Sequence, residues 1–338
     1  MRGLVEFEGA ALWLYLRLKE LAAFPEFAMD RGFWSWLAAA AKKIAAKNML
    51  VDGRTSVLVR HLHLADAPHV LIKGSARQRA AHLYHYAAAR PTNDLDVLVQ
   101  ESSVVSLRDR LLTAGYRYAF PVEATPRGHY HLRPLTDESG VPVELHVSTA
   151  GRLSPNEAWN RTASGAIEIN VGGEQSRIPS ATELLWQGIT HGVLHEARAY
   201  RLRFFLDATS ILASQSEVDW DTIDHRLGSP EIDDRSHTVA WLGTAAWLAG
   251  LPLPDHIARG VKPFPLRRVL RWRLRVFRNR HLGSQVRRRL LEEGTRVEAG
   301  MPLLPTVAGT SLPLRIRRRI ASAAARASYL VWRLPRRN

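Results

Sequence analysis

Three acidic side chains and a Lys-Gly-Ser run in this 338-residue chain have the types and spacing needed to handle phosphate and divalent metal. Asp94 and Asp96 lie two residues apart at the head of the apolar run Leu95–Val99, where a strand would point both carboxylates to one face. Glu144 stands in a second short apolar segment, Val-Pro-Val-Glu-Leu-His-Val, and a neighbouring strand would bring it alongside as a third acid. An acid in an apolar strand is costly unless a cation answers it. Magnesium prefers oxygen ligands and keeps several waters, so three carboxylates are enough to hold it. Two such ions about 3.5–4 Å apart would orient a triphosphate and lower the pKa of an acceptor hydroxyl. Upstream, Lys73-Gly74-Ser75 follows the apolar run His69–Ile72, and a Gly-Ser turn at a helix start offers backbone N–H groups and a hydroxyl to phosphate oxygens. Lys73 and Arg90 are candidate phosphate contacts, with a solvated or paired charge as the alternative.

Other residues with chemical potential read differently. His146 shares a strand face with Glu144 and could tune or replace a ligand, but is read first as a hydrogen-bonded structural histidine. His191 and His195 are four apart, but with Glu196 beside the second the spacing is not His-Glu-x-x-His and no third zinc ligand is evident. Asp207, within Arg-Phe-Phe-Leu-Asp-Ala-Thr, reads as a paired, partly buried acid that holds helices together. No Gly-x-Ser-x-Gly turn supports a serine hydrolase. The chain has no cysteine, which removes disulfides, thiolate zinc sites and cysteine nucleophiles and fits a cytoplasmic setting.

The elements that must position these residues follow from periodicity and breakers. Apolar residues at helical spacing predict helices over 4–23 and 33–48, separated by Pro25 and an Asp30-Arg31-Gly32 turn. Val51-Asp52-Gly53 is read as a further turn, with another helix over 55–65. A strand over 69–72 precedes Ser75, which is placed as the cap of a helix containing Leu83 and Tyr84. Arg90-Pro91-Thr92-Asn93 is turn chemistry into the strand 95–99; a helix over 103–114, stopped by Gly115, leads to a strand over 116–120. Segments 130–134 and 143–147 flank a turn and predict a hairpin. Residues 69–148 thus form a small α/β unit. Beyond it come a hairpin over 167–171 and 174–178, a capping box from Ser180 to Glu183, and helices over 199–214, 219–227, 236–249, 264–280 and 313–333.

With those residues placed, the chain resembles a known family. Gly74-Ser75, Asp94-Leu95-Asp96 and Glu144 match the minimal nucleotidyltransferase pattern of the DNA polymerase β-like superfamily. Lys73-Gly74-Ser75-Ala76, Leu83-Tyr84, Arg90-Pro91, Asp94–Val99, Gly115-Tyr116 and Val143-Glu144-Leu145-His146 are similar to the bacterial uncharacterised nucleotidyltransferase family. So are Pro179–Glu183, His191 and Leu206-Asp207, and the likeness spans residues 50–230. The gap between Ser75 and Asp94 is longer than in compact superfamily members. The resemblance implies an α+β or α/β minimal nucleotidyltransferase fold, a small mixed sheet with flanking helices, followed by a mostly helical C-terminal region. It implies transfer of a nucleoside monophosphate from an NTP to an acceptor hydroxyl with release of pyrophosphate. Asp94, Asp96 and Glu144 would be the catalytic metal ligands, for magnesium or alternatively manganese. Gly74, Ser75, Lys73 and Arg90 would bind the nucleotide, ATP foremost. The expected division is a helical lead-in over 1–50, a catalytic domain over 51–150, a substrate-side helical region with a hairpin over 151–261, and an arginine-rich helical section over 262–338.

Charge adds a second theme. The net +15 is concentrated at the end: 262–338 holds 20 Lys+Arg against 3 Asp+Glu, and the remainder holds 27 against 29. Arginines interleaved with Trp272, Tyr329 and Trp332 suit RNA, and their amphipathic spacing suits an anionic membrane surface; a solvated basic face is the plain alternative. Two rival functions follow, a toxin-like nucleotidyltransferase acting on tRNA and a catalytically silent member that binds RNA, membrane or protein. The uncharged run His237–Pro254 is broken by glycines and ends in two prolines, which reads as a buried helix rather than a transmembrane span. The N-terminus, with Glu6 and Glu8 and no small-residue cleavage site, reads as a helix of the mature protein. The expected location is the cytoplasm, with contact to a membrane periphery through the basic section as an alternative.

Overall fold

A computed structural model describes residues 2–22, 30–84, 86–119, 130–149, 153–195, 202–214, 218–229, 231–232 and 234–264. The chain divides into two compact units, Met1–His281 and Leu282–Asn338, and all described residues belong to the first. The helix expected at 264–280 lies outside them from residue 265 on, and that at 313–333 entirely.

The N-terminal apolar stretch is two helices, α1 (Arg2–Glu8) and α2 (Ala11–Leu21), split at Gly9, whose φ of +68° is one that a side chain disfavours. Then α3 runs without a break from Arg31 to Leu64. Asp30 starts it: the Phe33 N–H donates to Oδ1 at 2.7 Å. The turn expected at Val51-Asp52-Gly53 is absent. The buried stripe Leu37, Ala41, Asn48, Val51, Thr55, Leu58 and Leu62 keeps helical phase through it, and the packing of that stripe outweighs the roughly 1 kcal/mol that a helical glycine costs.

The sheet has five strands in the order β1-β2-β5-β4-β3. Strand β1 (His69–Leu71) is antiparallel to β2 (Leu95–Val99), which is parallel to β5 (Pro142–His146). Strands β4 (Leu135–Thr136) and β3 (Arg117–Tyr118) complete the antiparallel side. Between the strands lie α4 (Lys73–Arg77) and α5 (Glu101–Thr113). This is the small mixed sheet with flanking helices that the resemblance implied. One face of the sheet, through Leu71, Leu95, Val97, Val143 and Leu145, joins the main core; Val70, Ile72 and Leu98 face Trp159 and Ala163 on the other side.

After α6 (Pro155–Ala163), capped reciprocally by Ser154 and Glu157, the hairpin of β6 (Ile167–Val171) and β7 (Glu174–Ile178) turns at Gly172-Gly173, both with positive φ. Helices α7 (Ala181–Ile189), α8 (Leu202–Ala213), α9 (Trp220–Leu227), α10 (Arg235–Leu248) and α11 (Asp255–Ala258) follow, and a π-helical turn, Thr190–His195, extends α7. Ser180 caps α7 through the Glu183 N–H, but the Glu183 carboxylate turns into the core and accepts from Arg226 at 2.7 Å instead of closing a capping box. Leu184, Leu185, Phe204, Ile211 and Leu242 pack in the same core as the sheet residues. No helix among the described residues is long and apolar enough to cross a membrane.

Candidate metal and nucleotide site

The parallel pairing of β2 with β5 decides which side chains meet. Asp96 stands opposite Glu144 and Leu98 opposite His146, so Asp96, Glu144 and His146 share one face, since side chains alternate along each strand. Asp96 and His146 are fully buried and Glu144 is half-buried. One ligand atom from each lies within 4.8 Å of the others, the metal-capable group found among the described residues. The His146 Nε2 is 2.9 Å from Asp96 Oδ1 and 3.3 Å from Glu144 Oε2. Tyr130 stacks on its ring, with centroids 5.5 Å apart, and its Nδ1 is buried without a hydrogen-bond partner.

Lys73 enters this cluster from the start of α4. Its φ of +47° turns the chain at the end of β1 and its ammonium sits 2.8 Å from Asp96 Oδ1, 3.7 Å from Glu144 Oε2 and 3.3 Å from His146 Nε2. A left-handed conformation is strained for a long side chain, and such strain is held by the surrounding structure. Burial by itself would raise the Asp96 pKa, but the Lys73 charge and the His146 hydrogen bond overcome it and hold the carboxyl well below its usual range. Burial likewise opposes ionisation of Glu144, and the His146 hydrogen bond with the Lys73 charge brings it down. Burial opposes the Lys73 charge too, and Asp96 reverses that and raises its pKa.

Asp94 lies just ahead of β2. Burial, with Asp96 and Glu144 nearby, pushes its carboxyl up to about 6. Among the described residues, Lys73 answers Asp96 and Glu144, with Arg90 also acting on Asp94, and hard oxygen donors with an imidazole suit a divalent ion such as magnesium or manganese. The donor set fits the metal that the resemblance implied. His146 is hydrogen-bonded, as its sequence context suggested, and lies within reach of both acids, as its alternative reading required; the group of three does not include Asp94, which the resemblance made a ligand.

The nucleotide-side expectations divide. Gly74 is buried, and a Cβ there would lie 2.8 Å from Thr92 Cγ2 and 3.0 Å from Arg90 Nη1, so only glycine fits. Ser75 is buried inside the five-residue α4 and caps nothing; its Oγ accepts the Asp96 backbone N–H at 3.0 Å, fastening the helix to β2. The segment carrying Leu83 and Tyr84 is turns rather than one helix, because α4 ends at Arg77. Arg90 is partly buried, and its Nε donates to both Asp207 carboxylate oxygens, at 2.9 and 3.0 Å, which is the paired-charge alternative. The same carboxylate lies 3.5 Å from the buried Arg77, so Asp207 is the paired acid that its sequence context suggested. The π-turn carries His191, whose ring meets Phe204 edge-on and which is not part of the metal-capable group; the His195 side chain lies outside the described residues.

A family profile described as uncharacterised nucleotidyltransferase matches residues 8–247, more than two thirds of the chain. The chain belongs to that family. Membership makes it a nucleotidyltransferase-type transferase with a nucleotide substrate, and the matched span contains α2 to α9, the whole sheet and the acidic cluster. No curated protein gives a significant sequence match. Among solved structures, the chain is similar to an antigenic nucleotidyltransferase-like protein from Paracoccidioides brasiliensis, with 16% identity, 48% of this chain and 74% of that chain covered, and a TM-score of 0.34.

Proposed function

We propose that this nucleotidyltransferase-family protein transfers a nucleoside monophosphate from an NTP to an acceptor hydroxyl, with a divalent ion held at Asp96, Glu144 and His146 and with Asp94 completing the acidic set. The observation that carries the reading is the pairing of β2 with β5, which sets Asp96 beside Glu144 at the mouth of the Lys73-Gly74 turn. When bound, magnesium or manganese would neutralise the triphosphate and lower the pKa of the acceptor hydroxyl. The chain's own part is positional. Lys73 orients the carboxylates and supplies a cation beside the phosphates. Gly74, with no side chain, lets Thr92 and Arg90 pack against the start of α4, while Ser75 keeps α4 fixed to β2. Arg90 acts at one remove, holding the segment before Asp94 against Asp207. In the step itself the acceptor oxygen bonds to the α-phosphorus, the bond from that phosphorus to the bridging oxygen breaks, and pyrophosphate leaves with the electron pair. The hydroxyl proton passes to water.

Incubating the full chain with each α-labelled NTP and magnesium or manganese tests this. Label should move to an acceptor with release of pyrophosphate, and Asp94→Ala with Asp96→Ala should lower the rate by at least about a hundredfold, since several groups that act as a unit are lost. Transfer that is unaffected by the double substitution, or absent with all NTPs and both metals, overturns the reading.

A further inference from the structure

A cavity of about 530 Å³ lies between the N-terminal helices and the Pro91-Thr92-Asn93 segment. One wall is a single face of α3, with Trp36, Ala40, Lys43, Ile44 and Lys47 at helical spacing. The α1 end, with Glu6, Glu8 and Gly9, forms a second wall, and Arg203 of α8 reaches in. The third wall is Pro91-Thr92-Asn93, the segment that runs into Asp94. That segment is built rather than slack. The Asn48 side chain donates to the Ala88 and Arg90 carbonyls at 2.7 and 3.0 Å and accepts from the Thr92 N–H at 3.3 Å. The Lys47 ammonium donates to Asn93 Oδ1 at 2.6 Å.

Thr92 gives the cavity its relation to the site. It is 2% exposed, its Oγ1 has no hydrogen-bond partner, and it lines the cavity while packing on Gly74. One residue's thickness therefore separates this space from the turn that carries Lys73. That hydroxyl is sealed on the Gly74 side, so Thr92 offers the cavity a wall rather than a hydrogen bond. The volume is that of a small-molecule pocket, with an apolar wall and a few placed polar groups. Of the charged groups that line it, Glu8 accepts the Leu202 N–H at 2.9 Å and Glu6 is an exposed carboxylate, while Lys43 and Lys47 are exposed one helical turn apart, Lys47 with its bond to Asn93.

We propose that this cavity is the acceptor site, and that it takes a small hydroxylated molecule carrying a phosphate or carboxylate. Lys43 and Lys47 hold the anionic group, Trp36, Ala40 and Ile44 support the body, and the reacting hydroxyl points past Thr92 toward Asp94. The assignment as acceptor rests on the nucleotidyl transfer proposed above; the anionic ligand class rests on the cavity alone. Of the helices after Ser180, α8 contributes Arg203, and the N-terminal helices supply most of the wall.

The test is equilibrium binding to the full chain without metal or NTP, by calorimetry. The ligands titrated are ribose 5-phosphate, glycerol 3-phosphate and gluconate, with ribose as the uncharged control; the phosphates and gluconate separate the two anion chemistries. At least one anion should saturate below about 10 mM, and ribose should bind at least about tenfold more weakly. Lys43→Gln with Lys47→Gln should weaken the anion about tenfold or more, and Lys43→Gln alone, which leaves the Lys47 bond to Asn93 intact, should weaken it in the same direction. Absence of saturable anion binding, or binding indifferent to the lysine pair, overturns the proposal. Because no NTP is present, this result is independent of whether label transfer succeeds. In the transfer assay, label found on RNA or protein and not on any small molecule would also overturn it.

Discussion

Lys73 makes the most testable statement at the scale of single residues. Its ammonium lies among the three donors that can hold a metal, so it acts as the resident counter-cation of Asp96 and Glu144. Lys73→Met keeps much of the side-chain volume and removes the charge. Breaking a buried ion pair by removing one partner costs about 3–5 kcal/mol, so the metal-free variant should unfold at a clearly lower temperature than the parent. Magnesium or manganese should then raise its melting temperature more than it raises the parent's, because an ion that binds only the folded state stabilises it by mass action. An equal rise in both proteins would show that Lys73 does not share the metal's place. Asp207 is the other residue whose loss should be severe. Asp207→Ala leaves Arg77 and Arg90 buried without their carboxylate, and a loss of about 3–5 kcal/mol is expected in denaturant titration.

Two glycines test the elements. Gly53 lies within α3, exposed, with nothing within 4 Å of a notional Cβ. Gly53→Ala should therefore stabilise the protein by about 0.5–1 kcal/mol, the helix-propensity difference; a loss of stability would mean that the chain does turn there. Gly74 is the opposite case. Its alanine variant would press on Thr92 and Arg90 and should cost about 1–3 kcal/mol through overpacking. Thr92→Ala opens space on that side, so the double variant should recover part of the loss, which a double-mutant cycle on melting would read. Recovery would establish the contact between the Lys73-Gly74 turn and the cavity wall.

At the scale of the molecule, the sheet and the helices after it form one core, and the site lies where parts distant in sequence converge. Arg77 of α4, Arg90 before β2 and Asp207 of α8 meet, and Arg77 also donates to the Leu184 carbonyl of α7 at 3.0 Å. Glu8 at the end of α1 accepts the first N–H of α8. The residues expected to be a lead-in and a substrate-side region therefore brace the segment that carries Asp94. For this reason changes in α8 should reach the chemistry: a milder substitution, Asp207→Asn, should raise the KM for acceptor or NTP even in preparations that remain folded.

Local pattern determined much of this. The strand that carries Asp96, the acid Glu144 on a second short strand, the Lys73-Gly74 turn and the Gly172-Gly173 hairpin were all legible, because strand alternation and glycine turns are properties of neighbouring residues. The family was legible too, through the same motifs. What the tertiary structure alone decided were partnerships across long separations. The register of β2 against β5, nearly fifty residues apart, brings His146 to Asp96 and leaves Asp94 beside the cluster. Packing of α3 on the core carries the helix through Gly53, and Asp207 draws Arg90 away from solvent. Such contacts depend on which surfaces meet after folding, and no spacing along the chain encodes them in a form that short-range rules can read.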